Sequence, residues 1–161
     1  MDAIKIFDEK FKEKNSYYAL GCKIVKYIYL FISLTTIVFF TNEEYHFPMG
    51  IYLPLLLSVS VSMHLKPYLC IKQGLHNMPI FKIMCDAPIE RNAFIRSRIS
   101  ILVNFVIKLT MASLTLNILS NIYLVDTFSL EDTLFYAFYI IFCMLLITCE
   151  GIYEIHSKTR Y

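Results

Sequence analysis

The amino-acid sequence predicts an all-α membrane protein with four transmembrane helices, arranged as two antiparallel hairpins with both termini in the cytoplasm. The chain of 161 residues is 57% hydrophobic and 17% charged, whereas soluble domains are about 45–50% apolar and about 25% charged. Four long apolar runs follow one another, and the segments between them alternate in charge. The middle segment is basic and the two other turns are acidic, so the positive-inside rule assigns the middle segment and both termini to the cytoplasm. The acidic residues of the turns are Glu43, Glu44, Asp126, Glu131 and Asp132.

The boundaries of the predicted helices follow from the apolar runs, because about 20 apolar residues cross the ~30 Å hydrocarbon core. The four transmembrane helices are predicted at residues 24–40, 48–65, 99–124 and 130–152. Residues 1–23 are expected to form an amphipathic cytoplasmic segment, which either lies in the membrane interface or is a solvated tail. Residues 153–161 are expected to form a cytoplasmic tail, so that the whole chain forms one polytopic domain. The first apolar run ends at a polar turn and not at the small residues of a cleavage site, which predicts a retained signal anchor.

A basic cytoplasmic loop is predicted at residues 66–98, where basic side chains outnumber Asp86 and Glu90. The basic residues are Lys66, Lys72, Lys82, Arg91, Arg96 and Arg98. Apolar residues are interleaved with them, and prolines and a glycine interrupt any long helix. We therefore expect short amphipathic pieces on the cytoplasmic surface of the bilayer, where basic side chains attract anionic lipid.

The third predicted helix contains a lysine close to the middle of the membrane. At 1.5 Å per residue from Ile99, Lys108 lies roughly 13 Å deep. A lysine at the centre of a transmembrane helix costs about 2.5–3.5 kcal/mol of insertion free energy, and each large apolar residue returns only about 0.3–0.6 kcal/mol. A charge at this depth therefore predicts a partner, or a functional role, for Lys108.

Polar residues lie on two faces of the third predicted helix. At 100° per residue, one stripe consists of Asn104, Lys108 and Thr115, and a nearly opposite stripe consists of Thr110, Ser113, Asn117 and Asn121. Because a membrane helix that is polar on two opposite faces is expected to contact protein on both, we predict one of two positions for it. It lies either at the centre of the bundle or between the bundle and a partner protein.

Glu150, near the end of the fourth predicted helix, is the candidate partner of Lys108. A lysine side chain can extend several ångströms towards the cytoplasm, and Glu150 lies on that side. Lys26 and His64 are alternative partners for the same carboxylate. The pair could line a proton or ion path, could recognise a partner helix, or could fix the relative position of two helices.

The sequence contains no pattern that predicts catalysis or a cofactor. It lacks a glycine-rich phosphate loop and the common hydrolase and zinc motifs. Asp86 and Glu90 are explained by charge balance in a basic loop. The five cysteines, none in the predicted outer turns, do not indicate a disulfide framework, and we expect no bound metal. The small net charge of +2 does not predict nucleic-acid binding.

The end of the second predicted helix, Lys66-Pro67-Tyr68, and the aromatic, basic loop after it resemble the inner-membrane immunity proteins of pore-forming colicins. Those are small polytopic proteins with minimal outer loops and a basic cytoplasmic loop. The resemblance implies a non-enzymatic protein that protects a cell by binding the inserted pore domain of a toxin. Plasmid entry-exclusion proteins are similar in general appearance, and a small transporter or channel subunit that uses Lys108 and Glu150 is a further alternative.

Overall fold

The structure, a computed structural model, has four long helices in the part of the chain that it describes. The residues that it describes are 8, 16–39, 46–73, 76–80, 90–124 and 130–159. The helices are α1 (Ser16–Phe39), α2 (His46–Leu69), α3 (Arg91–Leu124) and α4 (Leu130–Lys158). A short hairpin of β1 (Cys70–Gln73) and β2 (His76–Pro79) follows α2 directly.

Three of these helices contain stretches that are long and apolar enough to cross a membrane. The stretches are Ser16–Ile37, Arg91–Ser120 and Thr133–Lys158. They confirm the predicted helical fold, and their length and composition are those of helices that cross a membrane; their apolar surfaces contact lipid when they are embedded. The second predicted transmembrane helix, residues 48–65, lies within α2, which contains Pro54 and Pro67; that α2 crosses the membrane stays a prediction.

Two helices begin earlier in the chain than the apolar runs do. α1 begins at Ser16 and not near Ile24, and α3 begins at Arg91 and not near Ile99. The predicted helix bounds follow hydropathy, so each predicted helix covers only the apolar run and stops where charged residues appear. Lysine and arginine are good helix formers, so the backbone continues its hydrogen bonding past the apolar segment.

The hairpin occupies part of the predicted basic loop, where the sequence analysis expected short amphipathic pieces. β1 and β2 are antiparallel, with Cys70 opposite Pro79 and Gln73 opposite His76. Residues 74 and 75, between the two strands, lie outside the described residues. Residues 81–89 of the loop, with Asp86, lie outside the described residues.

The core of the bundle is built on a continuous apolar stripe of α2. Five residues spaced by four are at most 2% exposed: Leu53, Leu57, Val61, Leu65 and Leu69. This spacing keeps them on one face of the helix. They pack with buried residues of α3 and α4, among them Leu102, Val106, Leu109, Ile140, Met144 and Ile147. α2 and α3 each contact all the other helices, so α3 is not alone at the centre of the bundle.

α3 and α4 are antiparallel and approach closely at Gly151. A Cβ atom on Gly151 would lie 2.8 Å from Cδ2 of Leu102, and further along the pair the Asn117 amide reaches the Thr133 carbonyl oxygen. These two contacts define the relative position of the helices. Residues near Arg98 therefore lie at the same end of the bundle as the C-terminus of α4. We call this end, which includes Lys66, Arg98 and Lys158, the basic end.

Candidate functional site

One of the two predicted polar stripes of α3 packs inside the bundle. Ser113 and Asn117 are 0% and 1% exposed. The Nδ2 group of Asn117 donates a hydrogen bond to the backbone carbonyl of Thr133, with an N–O distance of 3.3 Å. The Thr110 hydroxyl donates to the carbonyl of Val106 in its own helix. This stripe therefore belongs to the contact between α3 and α4, and the side chain of Asn121 lies outside the described residues.

The other stripe is exposed. Asn104, Lys108 and Thr115 all lie on the surface of the bundle, and the large apolar side chains of Ile107 and Met111 between them are 55% and 64% exposed. The Thr115 hydroxyl donates to its own helix, at the Met111 carbonyl, and has no need of a further partner. We call these five residues the outer face of α3. The structure thus separates the two stripes into a face packed in the bundle and an exposed face.

Lys108 is the charged residue of the outer face, and it lies near the middle of α3. Within the described residues its ammonium group has neither an ion pair nor a hydrogen bond. Charged groups in the hydrocarbon region normally face the bundle interior or a water-filled cavity and pair with other groups. The exposed position of Lys108 is therefore an exception that calls for an explanation.

Within the described residues the structure does not pair Lys108 with Glu150, and a pair between them stays a prediction. The Ser58 hydroxyl donates a hydrogen bond to Oε2 of Glu150, with an O–O distance of 2.8 Å, so the carboxylate turns towards α2. Because Leu102 lies opposite Gly151, Lys108 is about 9 Å further along the helix axis, at 1.5 Å per residue. Within the described residues Lys108 and Glu150 therefore form no ion pair.

Lys26 and His64, the alternative partners for Glu150, belong to a separate aromatic cluster. The His64 ring stacks on Phe105 with 4.0 Å between the ring centroids. The Lys26 Nζ atom lies 4.7 Å from the ring centre of Tyr27 and 5.5 Å from that of Phe105. A cation over an aromatic face gains about 0.5–2 kcal/mol, so Lys26 obtains a partner without a carboxylate.

The basic end contains a buried ion pair that the sequence analysis did not predict. Arg98 is 0% exposed, and its two terminal nitrogens contact the two carboxylate oxygens of Asp8 at 2.6 and 2.8 Å. The guanidinium also lies 4.4 Å from the ring centre of Phe94, and its Nε atom has no hydrogen-bond partner within the described residues. Asp8 belongs to the predicted N-terminal amphipathic segment, and it binds α3 at the basic end.

A half-open groove of about 240 Å³ separates α3 and α4 beside the outer face. It is lined by Val103, Val106, Ile107, Thr110, Ile141, Met144, Leu145 and Thr148. The two threonine hydroxyls donate to carbonyls of their own helices. The groove therefore offers no free polar group and suits apolar side chains or acyl chains.

The described residues include no group of three histidine, cysteine, aspartate or glutamate side chains that could hold a metal ion. Burial raises the pKa of the Cys70 thiol, which disfavours the reactive thiolate form at neutral pH.

Comparison with protein-family models, with curated proteins and with solved structures gave no match. The outer face of α3 is the feature that a proposal of function must explain.

Proposed function

We propose that this protein is a non-enzymatic, multi-pass protein of the cell inner membrane that acts by helix–helix contact with another membrane-inserted protein. The contact confers immunity to a pore-forming bacteriocin. The observation that carries the proposal is the exposed position of Lys108 near the middle of α3, with no ion pair among the described residues. A charged side chain inside the membrane raises the free energy of insertion. Its presence at this position is explained if a second molecule binds it.

The proposed orientation has the basic end and both termini in the cytoplasm. Arg91, Arg96 and Lys158 lie at or near this end, and positively charged segments are retained on the cytoplasmic side. The segments that join α1 to α2 and α3 to α4 are short and acidic, and neither is long enough to form a domain. Recognition therefore occurs within the bilayer, on the exposed helix faces.

The geometry favours an interaction protein over a transporter. Transport through this chain would require Lys108 and Glu150 to line one hydrated path, but Glu150 is bonded to Ser58 and Lys108 faces outward. A helix face that combines a charge, an amide and flexible apolar side chains is suited to recognising another helix. A plasmid exclusion protein would use the same kind of face against a different partner.

The first test is a protection assay. Cells that express the protein are challenged with a panel of pore-forming bacteriocins, and a matched culture receives a conjugative plasmid to test exclusion. We expect survival against at least one toxin, loss of survival with Lys108→Gln, and no loss with Arg96→Gln. Arg96→Gln is the control, because it removes a positive charge from an exposed position of the same helix near the basic end. Immunoblots must show equal amounts of the variants.

A photocrosslinking experiment tests the contact itself. A photoreactive residue replaces Thr115 on the outer face, and the matched control replaces Asn117, which faces α4. We expect the Thr115 probe to capture the toxin in membranes of challenged cells, and the Asn117 probe to crosslink within the chain. Survival against no toxin, together with lipid adducts alone at Thr115, would contradict the proposal. Reduced plasmid transfer without toxin protection would instead identify an exclusion protein.

A further inference from the structure

We propose that the outer face of α3 binds a transmembrane helix that carries a carboxylate at the depth of Lys108. This inference rests on the proposed function, because it specifies the chemistry of the membrane-inserted partner. The outer face consists of Asn104, Ile107, Lys108, Met111 and Thr115, and all five are exposed.

The partner must supply a negative charge. Lys108 has no carboxylate within the described residues, and an ammonium group in a low-dielectric medium is strongly stabilised by an opposite charge in contact with it. Lipid phosphates are too far away for this purpose. The predicted membrane boundary is roughly 13 Å from Lys108 along the helix, whereas a lysine side chain extends only roughly 6 Å from its backbone.

The charge must be carried by a helix. Inside the hydrocarbon layer a lipid-exposed backbone has to satisfy its own hydrogen bonds, and single segments achieve this only as α-helices. The neighbours of Lys108 fit such a partner. Ile107 and Met111 flank it with apolar surface, and methionine adapts its shape to irregular neighbours. Asn104 lies one turn away on the same face and provides an amide that can bind the same carboxylate or a polar side chain.

The antiparallel packing of α3 and α4 determines where the Glu150 carboxylate of this chain lies relative to Lys108. Glu150, the acidic residue that was considered for Lys108, lies on the basic-end side of it and is bonded to Ser58. A second copy of this chain in the same orientation would therefore offer a Glu150 that is already bonded to Ser58. This argument favours a different protein as the partner, and self-association becomes an outcome of the test.

The test uses the full-length protein in phosphatidylcholine vesicles with designed transmembrane peptides. Each peptide is a leucine–alanine helix with one central residue, either glutamate or glutamine, and a third peptide has its glutamate two turns from the centre. Association is measured by energy transfer between a labelled protein and labelled peptides. We expect the central glutamate peptide to bind about tenfold more tightly than the glutamine peptide, the size typical of a polar contact between helices in lipid.

Variants of Lys108 assign the effect to this residue. Lys108→Gln is expected to abolish the preference for glutamate over glutamine, and Lys108→Glu to transfer the preference to a peptide with a central lysine. This reversal also shows that the variants are folded. Equal binding of the glutamate and glutamine peptides by the native protein would overturn the inference. So would equal binding of the central and displaced glutamates.

Two further outcomes separate this inference from the proposed function. Energy transfer between labelled copies that is lost in both Lys108→Gln and Glu150→Gln would identify the chain itself as the partner and overturn the inference. Toxin protection that depends on Lys108, without any glutamate preference in vesicles, would leave the proposed function intact and reject only the carboxylate. A glutamate preference without protection against any toxin would reject the proposed function alone.

Discussion

Arg98 and Lys108 lie on the same helix, α3, but their surroundings are opposite. Arg98 is fully buried at the basic end, where Asp8 binds two of its nitrogens and Phe94 covers its plane. Lys108 is exposed near the middle of the helix and has no ion pair within the described residues. Arg98 thus has a carboxylate partner within the protein, whereas the Lys108 ammonium group remains accessible to another molecule. We infer that Arg98 contributes to the stability of the fold, and we propose that Lys108 serves recognition of a partner.

The largest expected effect comes from breaking the buried pair. Asp8→Ala leaves Arg98 buried without its carboxylate, and loss of one partner of a buried ion pair typically costs about 3–5 kcal/mol of folding free energy. We expect a clear decrease in the free energy of unfolding, measured by circular dichroism in detergent and urea. The double variant Asp8→Leu/Arg98→Met is the control, because it removes both charges. A double variant less stable than Asp8→Ala would contradict this assignment.

The next effect should have the opposite sign. Lys108→Leu removes a cation from the middle of a helix and should favour membrane insertion of α3 by about 3 kcal/mol, while toxin protection is lost. Insertion can be measured with α3 in a host protein that carries glycosylation sites on both sides of the segment. Ile107→Leu, on the neighbouring exposed position, is the matched control for insertion and should leave the insertion free energy unchanged. Loss of insertion in Lys108→Leu would mean that the lysine is structural.

A smaller effect is expected at Leu102, which lies between the two cations on the buried face of α3. Gly151→Ala would put a Cβ atom 2.8 and 3.0 Å from the Cδ atoms of Leu102, and overpacking typically costs about 1–3 kcal/mol. Gly21→Ala is the matched control, because a Cβ atom there has no neighbour within 4 Å. Thermal unfolding in detergent should distinguish the two variants, and equal midpoints would argue against the close contact.

The smallest effect should distinguish the two polar stripes of α3. Asn117→Ala removes the hydrogen bond to the Thr133 carbonyl and should cost about 1 kcal/mol, the usual size of such a contact between membrane helices. Asn104→Ala, on the outer face, should leave the unfolding free energy unchanged and weaken binding of the partner. If the two variants lost the same stability, the separation into a packed and an exposed face would be wrong.

Hydropathy and charge predicted the membrane helices, and helical geometry predicted the two polar stripes of α3. These features are local, so they can be recognised in a single sequence. Which stripe is buried depends on how α4 packs, as the Asn117–Thr133 contact shows, and no local pattern encodes this. The bond between Ser58 and Glu150 likewise joins residues far apart in the chain.

The Arg98–Asp8 pair and the hairpin are the two features of the structure that the sequence did not predict. Asp8 has no neighbour in sequence that distinguishes it from the other acidic residues of its segment, and its partner lies 90 positions away. The hairpin begins at Cys70, directly after a helix that contains Pro67. Hydrophobic and polar residues alternate only weakly in its two short strands, so the sequence does not indicate that they pair or in which register.

The close contact between Leu102 and Gly151 has a mechanical consequence. A helix is stiff over this length, and the contact acts as a fulcrum that divides α3 into two unequal arms. The shorter arm, towards the basic end, carries Arg98, and the longer arm carries Lys108. Any tilt of α3 about this fulcrum moves the two cations in opposite directions. The arm that carries Arg98 is bonded to Asp8, whereas the Lys108 ammonium group on the other arm has no ion pair within the described residues.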